Sequence, residues 1–133
     1  MMRRTRAFAL VLSGSLLTSP AIAKSVSVVQ HISGYRCMSL NLTQTQMMDP
    51  NVVVPVLAQP ATTAARVGVA AATIAVRDPP HEIHGFLEVL FPTGQTGWVE
   101  ARLLRPWRGT AGSGEKCAPA QLSNGRLGFD YYR

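Results

Sequence analysis

Gly85-Phe86-Leu87-Glu88-Val89-Leu90-Phe91-Pro92-Thr93-Gly94-Gln95-Thr96-Gly97-Trp98-Val99-Glu100 carries the clearest strand and turn signals in the chain. Phe86–Phe91 and Gln95–Glu100 are short runs rich in β-branched and aromatic residues, separated by Pro92-Thr93-Gly94. Two strands joined by a tight turn are expected, with Gly94 free to take a positive φ. Side chains alternate between the faces of a strand, so Leu87, Val89 and Val99 share one face and Phe86 and Trp98 the other. The first set can fill a miniature barrel too narrow to hold a ligand or to stage covalent chemistry. The second set offers two aromatics on adjacent strands, which read either as a binding platform or as a cross-strand pair that stiffens the hairpin.

Working outward, the same punctuation recurs and helical periodicity is hard to find, so the chain reads as all-β. Tyr35–Thr43 alternates Cys37, Ser39 and Asn41 with an inward set of Met38, Leu40 and Leu42. A polar connection over Gln44–Asn51 precedes a strand over Val52–Ala58, where Pro55 lacks a ladder donor and so marks an edge. Pro60–Ala65 reads as a long loop, followed by short strands around Arg66–Val69 and Thr73–Arg77, the latter ended by Pro79-Pro80. Ala101–Leu103 fits one helical turn before Leu104–Trp107 rejoins the sheet. Gly109–Gly114 reads as a flexible linker to a tail that ends Phe129-Asp130-Tyr131-Tyr132-Arg133 and adds a strand if it docks.

The N-terminus carries an export signature. Arg3, Arg4 and Arg6 precede an uncharged, largely apolar run over Ala7–Leu17, and Ala21-Ile22-Ala23 supplies small residues for a signal-peptidase pocket. A signal peptide over residues 1–23 is expected, leaving 110 residues from Lys24, enough for one compact domain. The run is shorter than the roughly 20 residues of a membrane span, so no stable membrane insertion is expected after cleavage. Cleavage removes three of the thirteen basic residues, leaving ten against seven acidic ones, a net charge near +3. That balance does not point to nucleic acid, which requires a clustered basic face. Only Arg102, Arg105 and Arg108 cluster, and they read as a solvated rim. The two cysteines, Cys37 and Cys117, are expected to pair in an oxidising compartment, closing a loop of about 80 residues for roughly 4 to 5 kcal/mol.

Several segments together resemble the bacterial SH3-like domain, SH3b. Val56-Leu57-Ala58-Gln59-Pro60 is similar to its first strand and loop start, Arg66-Val67-Gly68-Val69 to its hydrophobic-glycine step, and Ala72-Thr73-Ile74-Ala75-Val76 to the next strand. Gly85-Phe86-Leu87-Glu88-Val89 and Thr96-Gly97-Trp98-Val99 resemble its hairpin, and Leu103 or Leu104 supplies the closing leucine. The resemblance covers Pro50 to Trp107. It implies a small five-stranded barrel over 50–107, with an N-terminal extension over 24–49 that contains a strand, and a flexible linker and tail over 108–133. Eukaryotic SH3 domains that grip Pro-rich peptides use an acidic loop, whereas Ala61-Thr62-Thr63-Ala64-Ala65-Arg66 stands here, so that ligand class is not expected.

Residues with chemistry are few. His81-Glu82-Ile83-His84 places two histidines three apart in a loop expected beside Pro79-Pro80, whereas a helical zinc site needs them four apart; His31 stands alone, and neither a metal nor another cofactor is expected. A cysteine hydrolase needs an unpaired thiol, a general base and an oxyanion site, and no segment outside 50–107 is long enough to build them. Gly-x-Ser-x-Gly is absent. Asn41-Leu42-Thr43 formally fits a glycosylation sequon and reads as a chance match in a chain with a bacterial signal. Glu88 and Glu100 read as surface charges. The expectation is a periplasmic or secreted bacterial binding module without catalytic residues, contacting a cell-wall component such as peptidoglycan, or an envelope protein, through Trp98, Phe86 and Arg102. The alternative is a small exported inhibitor or accessory protein of an envelope enzyme.

Overall fold

A computed structural model describes residues 13–19 and 24–133. The charged start of the expected leader and its cleavage site, at residues 1–12 and 20–23, lie outside the described residues. Among the described residues, eleven strands form two antiparallel sheets. The larger runs β4 (Arg66–Val69), β3 (Pro55–Leu57), β8 (Thr96–Glu100), β7 (Phe86–Leu90), β5 (Thr73–Arg77), β2 (Tyr35–Leu40), β9 (Leu104–Pro106), with β6 (Glu82–Ile83) pairing beside β7. The smaller runs β1 (Val28–His31), β10 (Lys116–Leu122), β11 (Leu127–Tyr132).

Alternation builds the core as expected. Met38 and Leu40 of β2, Val56 of β3, Ile74 and Val76 of β5, Leu87 and Val89 of β7, Val99 of β8 and Leu104 of β9 form one buried cluster with Val54 and Ala70. Strands near opposite ends of the sheet order, β3 and β9, meet in this cluster, so the sheet curls around it. Among the described residues no ladder joins the edge strands β4 and β9, so the sheet is not a closed barrel. The largest fully buried side chains are all valines, Val54, Val56, Val76, Val89 and Val99. A tightly curled sheet leaves room for short β-branched residues, which also suit strand backbone. Two glycines serve close approach. A Cβ on Gly97 would lie 2.5 Å from Val56 Cγ1, and one on Gly68 2.8 Å from the Phe91 ring. Gly97 therefore lets β3 cross β8 closely, and Gly68 seats the aromatic that ends β7.

The hairpin between β7 and β8 closes as expected through Gly94 at φ 88°, with the Phe91 N–H donating to the Gln95 carbonyl at 2.8 Å. Ala101–Leu103 is one 3-10 turn, after which β9 pairs with β2. Four elements differ from expectation. Gln44–Asn51 is not wholly irregular: Gln44–Met48 forms a single-turn helix, α1, capped reciprocally by Thr43 and Gln46. The signal was present as Thr43-x-x-Gln46, a capping box. Pro55 sits in β3, between β4 and β8, rather than on an edge. It is tolerated because β3 meets β8 only at Leu57 opposite Trp98, beyond the missing N–H. The histidine-bearing segment is a second hairpin, with Glu82 opposite Leu87 and Ile83 opposite Phe86 across a turn of His84 (φ 51°) and Gly85 (φ 80°). Finally, Gly109–Gly114 is irregular as expected, but the tail after it is regular structure rather than a single added strand, since β10 and β11 pair over six positions and β1 adds alongside β10.

The small sheet lies on the outer face of the large one. Cys37 on β2 and Cys117 on β10 form a disulfide, with 6.0 Å between their Cα atoms and 80 residues between them in sequence. The Leu127 N–H donates to the Pro92 carbonyl at 2.9 Å, and the Tyr131 hydroxyl donates to Thr73 Oγ1 at 3.3 Å. Register explains the fit: Cys117, Pro119, Leu127, Phe129 and Tyr131 share the face turned inward, and His31, Asp130 and Tyr132 the face turned away. On that outward face His31 Nε2 lies 2.7 Å from Asp130 Oδ2, with the Tyr132 ring against the imidazole.

Candidate functional site

The outer face of β7 and β8 carries the residues singled out from sequence. Trp98 is half-buried, directly opposite Glu88 on β7 and Leu57 on β3. The second hairpin swings His81 over it: the imidazole meets the indole edge-on with 5.4 Å between centroids, and His81 Nδ1 lies 2.9 Å from Glu88 Oε2. The Glu88 carboxylate also accepts from the Arg77 guanidinium at 3.3 Å through both oxygens. With a side chain only 12% exposed, Glu88 is the organising anion of the group, holding two half-exposed cations or donors at the margin of the indole. Register alone explains the assembly, because Arg77, Glu88 and Trp98 project from neighbouring strands on one face. Glu88 is thus a structural partner rather than a free surface charge.

Arg102 lies in the 3-10 turn and pairs with Glu100, Nε to Oε2 at 2.6 Å. Glu100 shares its strand face with Trp98, which brings Arg102 onto the same side of the molecule. Phe86 departs from the expected exposed aromatic. It does project to the outer face, yet it is 4% exposed. The β6 strand pairs alongside it, and Thr62, His84, Glu100 and Arg102 surround the same shallow hollow of about 430 Å³. Phe86 therefore forms the floor of that hollow beside Arg102 rather than an exposed aromatic. Trp98 and Arg102 supply the accessible part of the predicted site. His81 was missed as a member because its proximity to Trp98 requires the β6–β7 hairpin to close, and Arg77 because its pairing with Glu88 depends on the β5–β7 register.

Two further hollows stand apart from this face. Between the sheets lies a space of about 150 Å³ lined by Ile32, Ile74, Leu90, Phe91, Pro119 and Phe129 with their neighbours, among which Thr73 is the sole polar side chain. A cavity therefore exists, between the sheets rather than inside the curled one, and its lining holds no titratable side chain. A hollow of about 330 Å³ on the other flank is lined by Ser39, Arg105, Pro106 and Arg108.

Both cysteines are held in the disulfide. Among the described residues, no three His, Cys, Asp or Glu side chains gather as metal ligands, and no helix is long and apolar enough to cross a membrane. No family model matches the chain, and no curated protein or solved structure is similar to it.

Proposed function

We propose that the protein is an exported, non-catalytic binding module of the bacterial SH3-like type, contacting peptidoglycan or another envelope component through the outer face of β7 and β8. The observation that carries this reading is the position of Trp98, partly exposed on the β7–β8 platform, with His81 against its edge, Arg77 held by the Glu88 opposite it, and Arg102 on the same side of the molecule. An amphipathic ring held by neighbours, with charged donors at its margin, suits recognition of a polar ligand that also has an apolar face. The curled sheet, the valine core and the close approach at Gly97 of the Gly-Trp-Val segment support the SH3-like reading. The disulfide supports a periplasmic or secreted location. It also occupies the two thiols that a cysteine hydrolase would require.

The test is co-sedimentation of the purified protein with cell-wall sacculi. Wild type is expected in the pellet, and Trp98→Ala is expected to weaken retention at unchanged far-UV circular dichroism. Wild type left in the supernatant would remove peptidoglycan as the ligand.

A further inference from the structure

The three arginines that cluster in sequence separate in space. Arg102 is neutralised by Glu100 at 2.6 Å. Arg105 and Arg108 instead line one hollow with the Ser39 hydroxyl, and among the described residues neither has a carboxylate within ion-pair distance. Glu115 comes close to the neighbouring Gly109 through its Cβ, yet makes no pair with Arg108.

The backbone between the two arginines is fixed. Arg105 stands directly opposite Ser39 in the β2–β9 ladder, Pro106 follows, and the Trp107 ring packs on Tyr131 with 5.7 Å between centroids. Tyr131 is in turn tied to Thr73 by its hydroxyl. The two guanidinium stems thus leave a supported segment rather than a free loop, which limits the ordering cost of binding between them.

Two like charges sharing a hollow repel one another, and an anion bound between them reverses the sign of that energy. Guanidinium forks match the oxygens of phosphate and carboxylate alike. Charge separates these two: a phosphate group carries about −1.5 to −2 at pH 7, which balances both arginines, whereas a carboxylate balances one. We infer that Ser39, Arg105 and Arg108 form a binding site for a phosphate dianion, free or as a terminal monoester, with the serine hydroxyl donating to a third oxygen. This site lies on the β9 flank and stands independently of the Trp98 face.

Titration calorimetry at constant ionic strength, with chloride as the background anion, tests it using inorganic phosphate, glycerol 3-phosphate and acetate. Saturable binding of at least one phosphate species at one site per chain is expected, with acetate roughly tenfold weaker or more. Binding of inorganic phosphate alone assigns the free ion, and binding of both species assigns an open pocket that accepts monoesters. Arg105→Gln and Arg108→Gln are each expected to weaken binding by roughly tenfold or more, since each removes a charge-assisted contact. Arg66→Gln, an exposed arginine that does not line this hollow, should leave it unchanged. Arg105→Lys, which keeps the charge but loses the fork, is the second variant should Arg105→Gln fail to fold, and it too should weaken binding. The inference is overturned if neither phosphate species binds saturably, if acetate binds as tightly, or if both arginine variants retain wild-type affinity.

Discussion

Removing the disulfide by Cys37→Ala/Cys117→Ala should cost a large share of the stability of this domain. The bridge spans 80 residues, so opening it returns to the unfolded chain about 15 cal/mol/K of entropy, or about 4.5 kcal/mol at 25 °C. Whole small domains are stable by about 5–15 kcal/mol, and each kcal/mol moves the midpoint of a domain near this size by about 4–8 °C. A fall of about 18–36 °C in Tm follows from those two figures. Alanine is the right replacement because Cys37 is buried, and a serine hydroxyl there would add a desolvation cost unrelated to the bridge. Thermal melts followed by far-UV circular dichroism, on oxidised protein, reduced protein and the double variant, isolate the entropic part. Reduced wild type and the double variant should melt together and well below the oxidised form. If all three melt within about 5 °C, corresponding to roughly 1 kcal/mol, the reasoning is refuted: the small sheet would then be held by its packing and by the Leu127–Pro92 and Tyr131–Thr73 hydrogen bonds.

Gly97→Ala should destabilise by about 1–3 kcal/mol, because its Cβ would stand 2.5 Å from Val56 Cγ1 and 3.3 Å from the Leu57 carbonyl oxygen; urea unfolding measures it, and a neutral result would mean that β3 can retreat from β8. His84→Asn should raise stability by about 0.5–1 kcal/mol, since His84 holds φ 51° in a two-residue turn before Gly85 and Asn-Gly is the favoured pair there; a loss in the same assay would show that the imidazole makes a contact worth more than the turn preference.

How much of the fold is legible in the sequence depends on how local its causes are. Turn chemistry and period-2 alternation act within a few residues, so the β7–β8 hairpin, the inward set from Met38 to Val99 and the 3-10 turn before Leu104 can be read from the chain. The capping box at Thr43 and Gln46 was equally local and is a signal that was there to be found. The β1 strand is a different case: Val28 pairs with Leu122 and His31 with Ala120, partners some 90 residues away that no local pattern names.

The candidate site divides along the same line. Alternation puts Phe86 and Trp98 on the outer face, and they are on it, but it cannot say what else covers that face. The β6 hairpin closes over Phe86 and brings His81 to Trp98, while Glu88 gathers both His81 and Arg77. Likewise a run of three arginines fixes their spacing and not their partners: Glu100 takes one and leaves two beside Ser39. Local residue patterns suffice for the all-β class, the hairpin, the buried valine face and two cysteines able to pair. Which faces meet water depends on the packing of distant segments, of which alternation carries no record.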